Sequence, residues 1–98
     1  MNHCAFLGKI ISKNLTEIND VEKIELVLQV ENKRKVKKDV KKMDYEYLSF
    51  EAWGSAAISI EKNLTIDDYM LIIDSTARAN SGIVCFRINE FKIIKKGN

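Results

Sequence analysis

Apolar and polar residues alternate along most of this chain. Between positions 21 and 32, Ile24, Leu26, Leu28 and Val30 share one parity, while Glu25, Gln29 and Glu31 share the other. A period of two is that of a half-buried strand. Residues 44–53 repeat the pattern. Leu48, Phe50 and Ala52 form one set, and Tyr45, Tyr47, Ser49, Glu51 and Trp53 form the other, with Gly54 ending the run. Residues 3–12 are apolar and interrupted by Gly8, which predicts a first strand with a bend or bulge there. Residues 68–79 contain the run Met70-Leu71-Ile72-Ile73 and predict a fourth strand. Residues 83–94 predict a fifth, whose parity shifts near Asn89-Glu90 as a bulge would shift it.

The connections fill the gaps between these strands. Residues 14–20, NLTEIND, read as a turn, as does Asn80-Ser81-Gly82. The polar stretch 33–43 reads as a connecting loop. After Gly54, Ala57, Ile60 and Leu64 recur at helical spacing and give one apolar stripe. Ser55 is placed to cap that helix by accepting from a free backbone N–H. Asp67-Asp68 reads as the turn that follows. The order is β-β-β-α-β-β, and a sheet of this kind removes its exposed edges by closing. Five strands with one short helix between the third and fourth is the order of the OB-fold, an all-β small barrel. A β-grasp fold would bury the same faces but would not usually place its single helix there. The predicted domain is 1–94, with 95–98 a frayed tail.

Composition adds three constraints. A chain of 98 residues is one domain with a small core, so self-association is expected to support it. No apolar run reaches the ~18 residues of a membrane span, and the start of the chain lacks a basic stretch ahead of an apolar block. A cytoplasmic protein is expected, with no membrane contact. Cys4 and Cys85 lie inside apolar runs and read as free buried thiols. The net charge is only +2, but residues 33–42, KRKVKKDVKK, hold Lys33, Arg34, Lys35, Lys37, Lys38, Lys41 and Lys42 against one acid, Asp39. The rest of the chain is therefore net acidic, and this loop is its electrostatic footprint for a polyanion.

Binding a nucleic-acid strand without reading its sequence needs flat π surfaces for bases and cations along the backbone path. Tyr47 and Trp53 share a strand face about 20 Å apart, far enough to hold separate nucleotides, and Tyr45 extends that face. The basic loop offers phosphate contacts as mobile point charges. Arg78 and Arg87 are candidates for fixed contacts or for surface ion pairs, and Lys9 and Lys13 are weaker candidates. Glu51, between Tyr47 and Trp53, would repel phosphate unless it pairs with a lysine. Catalytic chemistry finds no footing. His3 is the sole histidine and, with Cys4, makes a poor chelate. There is no Gly-rich phosphate loop. The sequence predicts neither an enzyme nor a metal or cofactor.

Several stretches carry a resemblance. MNHCAFLGKI, with Asn2, Phe6, Leu7, Gly8 and Ile10, resembles the opening of the bacterial single-stranded DNA-binding protein family. EYLSFEAWGSAA resembles its third strand and helix start, with Tyr47, Trp53 and Gly54 at the matching places. YMLIIDSTARA and CFRINEFKII resemble its fourth and fifth strands. The resemblance runs from Met1 to Ile94 and implies sequence-tolerant binding of single-stranded DNA, or RNA, in replication, recombination or repair. It also implies a homodimer or homotetramer assembled partly through the first strand around Asn2 to Leu7. This chain departs from the family at Asp74, where a glycine is common. It departs again near Glu31 or Asn32, and near Asn80 or Ser81, where aromatics stand. The family's acidic C-terminal tail is not expected here, which resembles short relatives such as the primosomal protein PriB or phage and plastid versions. The alternative reading is therefore an OB-fold adaptor that docks on replication proteins and has weak DNA affinity.

Overall fold

The computed structural model describes residues 3–33, 43–80 and 82–94. The elements are β1 (His3–Ile18), β2 (Val21–Lys33), β3 (Met43–Trp53), α1 (Ser55–Asn63), β4 (Tyr69–Asn80) and β5 (Ile83–Ile94). The strands close into a barrel in the order β1-β2-β3-β5-β4, with β4 returning to β1. All pairings are antiparallel except β3 with β5. This closed five-stranded barrel with its helix between β3 and β4 is the OB-fold.

Period-two alternation decides what faces inward. The β2–β3 register sets Ile24 opposite Ala52, Leu26 opposite Phe50 and Leu28 opposite Leu48. These same-face pairs line the barrel interior, joined by Ile10, Met70, Ile72 and Ile88. Phe50 packs against Phe6 and Phe86 with ring centroids 5.3 Å away in both cases. Each such pair contributes about 0.5–1.5 kcal/mol beyond its area burial. The predicted stripe Ala57, Ile60 and Leu64 is fully buried, where α1 packs against β1, β2 and β3. Ser75 is the buried polar residue among those described, and its hydroxyl donates to the Cys4 carbonyl at 2.7 Å.

Several local expectations change. Residues 14–18 are strand, not turn: β1 and β2 stay paired out to Ile18 opposite Val21. The turn is only Asn19-Asp20, both at positive φ (51° and 65°). That is the two-residue hairpin geometry that Asn and Asp tolerate. Lys33 and Met43 likewise pair with each other, so the β2–β3 ladder runs further than the expected loop boundary. The bulges of β1 lie near Ala5 and Ile11 rather than at Gly8. Gly8 answers a different need. A Cβ there would sit 3.0 Å from the Leu28 side chain and 3.2 Å from the Gln29 carbonyl oxygen, so only glycine lets β1 and β2 approach this closely.

Ser55 does not cap α1. The N-cap is Gly54, at φ 65°, and no side chain bonds to the free N–H groups. Gly54 takes the left-handed conformation and donates its own N–H to the Glu22 carbonyl at 2.8 Å, which leaves Ser55 inside the helix. Lys13 is structural too. Its ammonium donates to the carbonyls of Leu64 (2.8 Å) and Glu61 (3.1 Å) and pairs with the Glu61 carboxylate. It thus satisfies acceptors at the helix C-terminus, where a cation is favoured. The expected bulge at Asn89 is present. Ile72 pairs with Phe91, Asp74 with Glu90 and Ser75 with Ile88, which leaves Ile73 and Asn89 as the extra residues. Asp68 closes the turn after the helix by accepting from the Thr65 N–H at 2.9 Å.

Candidate functional site

The outward parity of β3 presents Tyr45, Tyr47, Ser49, Glu51 and Trp53 in sequence along the outside of the barrel. The β2–β3 register lays Glu31, Gln29, Val27, Glu25 and Lys23 beside them. Two hairpins flank this face. One is β1–β2, ending at Asn19-Asp20, and the other is β4–β5, ending at Asn80 opposite Ile83. In an OB-fold the strand 2–3 face and these two loops form the usual ligand surface.

At one end the aromatic rings are free. Tyr47 is 61% exposed and Tyr45 49% exposed. The Tyr47 hydroxyl accepts from the Gln29 amide at 3.0 Å, which fixes the ring's edge and leaves its faces in solvent. Tyr45 borders a cavity of about 130 Å³ shared with Leu7, Lys9, Gln29 and Tyr69. Sequence reasoning did not single out Tyr69, because its place beside Tyr45 comes from the β1–β4 pairing of Lys9 with Tyr69. Lys33 ends β2 two pairs beyond Tyr45, whose partner is Glu31. Arg34, Lys35, Lys37, Lys38, Lys41 and Lys42 lie outside the described residues.

At the other end stands Trp53, half-buried beside a cavity of about 380 Å³ lined by Lys23, Glu51, Arg78, Ala79 and Cys85. The Lys23 ammonium sits 5.2 Å from the Trp53 ring centroid, a cation–π contact. The register makes this contact, since Lys23 is the direct partner of Trp53. The indole Nε1 is buried and has no hydrogen-bond partner among the described residues.

Glu51 is 12% exposed at its side chain and lies between two cations, Lys23 at 3.6 Å and Arg78 at 3.5 Å. The condition under which it would not simply repel phosphate is therefore met. Lys23 also pairs with Glu25 at 3.4 Å. Arg78 is 54% exposed, so its share of this pairing is weakened by solvent. Burial pushes the Cys85 thiol up from its usual range, and the neighbouring Glu51 carboxylate pushes it further. It is a neutral lining group rather than a nucleophile. Arg87 is exposed on β5, in register with Glu51 across the parallel pair.

The structure thus brings Trp53, Arg78 and Arg87 to one end of the face and Tyr45 and Tyr47 to the other. Lys23 is the functional candidate that sequence reasoning missed. The period-two pattern marks it as outward, but Glu51 and Trp53 reach it from β3 through the register between the strands. Among the described residues, no group of three His, Cys, Asp or Glu side chains could hold a metal ion, and no helix is long and apolar enough to cross a membrane.

Solved structures share this architecture. PriB from Ralstonia solanacearum superposes with a TM-score of 0.76 at 8% identity, covering 95% of this chain and 97% of that one. The second single-stranded DNA-binding protein of Mycobacterium smegmatis gives 0.76 at 16% identity, with 93% and 86% covered. The single-stranded DNA-binding protein of Thermus aquaticus gives 0.80 at 10% identity, covering 97% of this chain and 50% of that one. No family model matches the chain, and no curated protein matches it in sequence. At these identities the likeness establishes the fold.

Proposed function

We propose that this protein binds single-stranded nucleic acid, DNA in the first place, along the outer face of β2 and β3, without reading its sequence. The observation that carries this reading is the pair of exposed tyrosines, Tyr45 and Tyr47, on the strand 2–3 face of an OB barrel between its two hairpin arms. Bases stack on these rings. Lys33, Arg34, Lys35, Lys37, Lys38, Lys41 and Lys42 meet phosphates beyond Tyr45, and Arg78 and Arg87 meet them near the β4–β5 arm. The proteins of similar structure are single-stranded DNA-binding proteins and PriB, which supports a place in replication, recombination or repair. No step of this mechanism calls for a metal or a cofactor.

Self-association as a dimer or tetramer through the first strand belongs to the same proposal. The β1–β2 ladder begins at Gly8 opposite Val30, and no described pairing joins His3–Leu7 to β2. Among the described residues these pair with β4 alone, and we propose that this strand edge receives a second copy. Asn2 lies outside the described residues.

Titration with oligo-dT, followed by fluorescence and light scattering, tests the reading. The expected result is a saturable change whose affinity falls steeply as salt rises, with the assembly state read from the same samples. No binding at micromolar oligonucleotide and low salt would sink it. The second reading, an adaptor with weak DNA affinity, is favoured by Ile83 and Val84, both exposed at the β4–β5 hairpin. Capture of a replication protein that survives nuclease treatment, together with loss of that capture in the Ile83→Ser variant, would favour the adaptor.

A further inference from the structure

Tyr47 begins a row of outward residues that runs across the strands rather than along β3. It is the direct partner of Gln29 on β2, Gln29 is that of Lys9 on β1, and Lys9 is that of Tyr69 on β4. Direct partners share a face of the sheet, so the face that carries Tyr47 continues to Tyr69. With strands about 4.8 Å apart, these three steps span roughly 14 Å.

The row borders a cavity of about 130 Å³, lined by Leu7, Lys9, Gln29, Tyr45 and Tyr69. Pockets that enclose a whole ligand begin near ~300 Å³, so this one takes a single group of a ligand that continues beyond it. Both lining tyrosines are exposed, and Lys9 is half-buried beside them. Lys13 and Lys23 are tied to carboxylates, whereas the Lys9 ammonium has no ion pair among the described residues. None of the described residues that line the cavity is acidic. In the Trp53 cavity, by contrast, Glu51 already holds Lys23 and Arg78.

Exposed rings beside an uncommitted cation are what a nucleic-acid strand uses, the rings for bases and the cation for phosphate. An apolar protein surface laid over the same face would strip water from the Lys9 charge and give it no partner. A second copy paired along the His3–Leu7 edge leaves this row open. It would extend the sheet in its own plane, and Lys9 and Tyr69 already have a strand on either side.

We infer that the bound strand turns at the exposed tyrosines and crosses β2 and β1 onto β4, with a base on Tyr69 and a phosphate at Lys9. This inference rests on the proposed strand-binding role and adds to it a nucleotide subsite on the β1–β4 side of the barrel.

Tyr45, Tyr47 and Tyr69 are the three tyrosines of the chain. Protein labelled with 3-fluorotyrosine therefore gives three fluorine signals, assigned with the Tyr45→Phe, Tyr47→Phe and Tyr69→Phe variants. Saturating oligo-dT is expected to move the Tyr69 signal along with the other two. Tyr69→Ala should bind oligo-dT about fivefold or more weakly than the wild type, and Tyr69→Phe should bind as tightly, because the ring face is what the base uses. Lys9→Gln should flatten the plot of log affinity against log salt by about 0.7, the share of one phosphate contact. A Tyr69 signal that stays in place while that of Tyr47 moves would overturn the subsite and leave strand binding intact. A Tyr69 signal that follows protein concentration and ignores the strand would overturn it too, because a second copy would then cover the ring. If none of the three signals moves with oligo-dT, the strand-binding proposal itself fails. The fluorine spectra do not depend on the Ala variant, so they decide the matter even where that variant folds poorly.

Discussion

The two ends of the outer face of β3 are built from the same alternation and differ in almost everything else. At Tyr45 and Tyr47 the rings stand in solvent, and only an edge of Tyr47 is tied, through Gln29. At Trp53 the ring lies beside an ammonium, the neighbouring carboxylate is held between two cations, and the polar atom of the ring is buried without a partner among the described residues. One end offers open ring surfaces and the other a charged cluster around a half-buried ring. Aromatic residues at matching parity are therefore not interchangeable as binding groups. The neighbouring strand decides how much of each ring is open. Gln29 beside Tyr47 ties only its hydroxyl, whereas Lys23 beside Trp53 stands against one face of its ring.

The largest expected effect tests the charge of the basic segment that follows β2. Replacing Lys35, Lys37, Lys38 and Lys41 together by Ala should weaken oligo-dT binding by roughly a hundredfold at low salt. It should also flatten the plot of log affinity against log salt by about 0.7 for each phosphate that is no longer neutralised. An unaltered slope would mean that the loop does not touch the strand, and the fixed charges on the strands would then carry the electrostatic term alone. The next effect isolates the open end. Tyr47→Ala should cost about 1–3 kcal/mol of binding, the usual worth of a base stacked on an aromatic ring. Tyr47→Phe should cost less than about 0.5 kcal/mol, because the Gln29 bond it loses is solvent-exposed. Equal losses in the two variants would show that the hydroxyl matters rather than the face, and the contrast with Trp53 would collapse.

A smaller effect, of opposite sign, belongs to the closed end. Glu51→Gln removes the anion between Lys23 and Arg78 and should tighten strand binding severalfold, about 0.5–1 kcal/mol. The gain is small because Arg78 is more than half exposed and solvent already screens its pairing. The substitution should also steepen the salt dependence, since Arg78 loses its pairing with Glu51 and Lys23 keeps only Glu25. Weaker binding in this variant would identify Glu51 as a contact to the strand instead of a group that must yield.

Much of this contrast is legible in the amino-acid pattern, and the part that is not has a common cause. Which residues of β2 and β3 face outward follows from a period of two, which is local, so the pattern alone puts Tyr45, Tyr47 and Trp53 on one face. Which partner each outward residue meets depends on register across strands, which no local pattern states. Lys23 beside Trp53 and Arg78 beside Glu51 are products of that register. The same cause explains the hairpin arm. Residues 14–18 carry no alternation because both faces of that arm meet solvent, Leu15 and Ile18 included, so the segment reads as a turn although it is paired strand. Ser55 is a different case. Cap composition is a local signal, but Gly54 is free to take the positive φ and moves the cap one residue earlier.

The smallest effect reports on the closed end through a group that takes no part in binding. Burial raises the Cys85 thiol above its ordinary value of 9.0, with Glu51 a secondary cause. Its thiolate fraction at neutral pH is therefore lower than in the unfolded chain. Alkylation by iodoacetamide, followed by peptide mass mapping, should be slower for folded than for unfolded protein, and should accelerate only above the pH at which an ordinary thiol has ionised. The sign for stability follows from the same shift. Folding favours the neutral thiol, so this contribution is complete below pH 9.0 and is lost as pH rises through the folded value. Glu51→Gln should bring the folded value part of the way back and no further, because burial is the larger cause. A strand that runs past Trp53 would cover the cavity that Cys85 lines, so saturating oligo-dT should slow the labelling again. If the strand leaves the labelling rate of Cys85 unchanged, the path ends before Trp53. The open tyrosine end would then be the whole of the binding face.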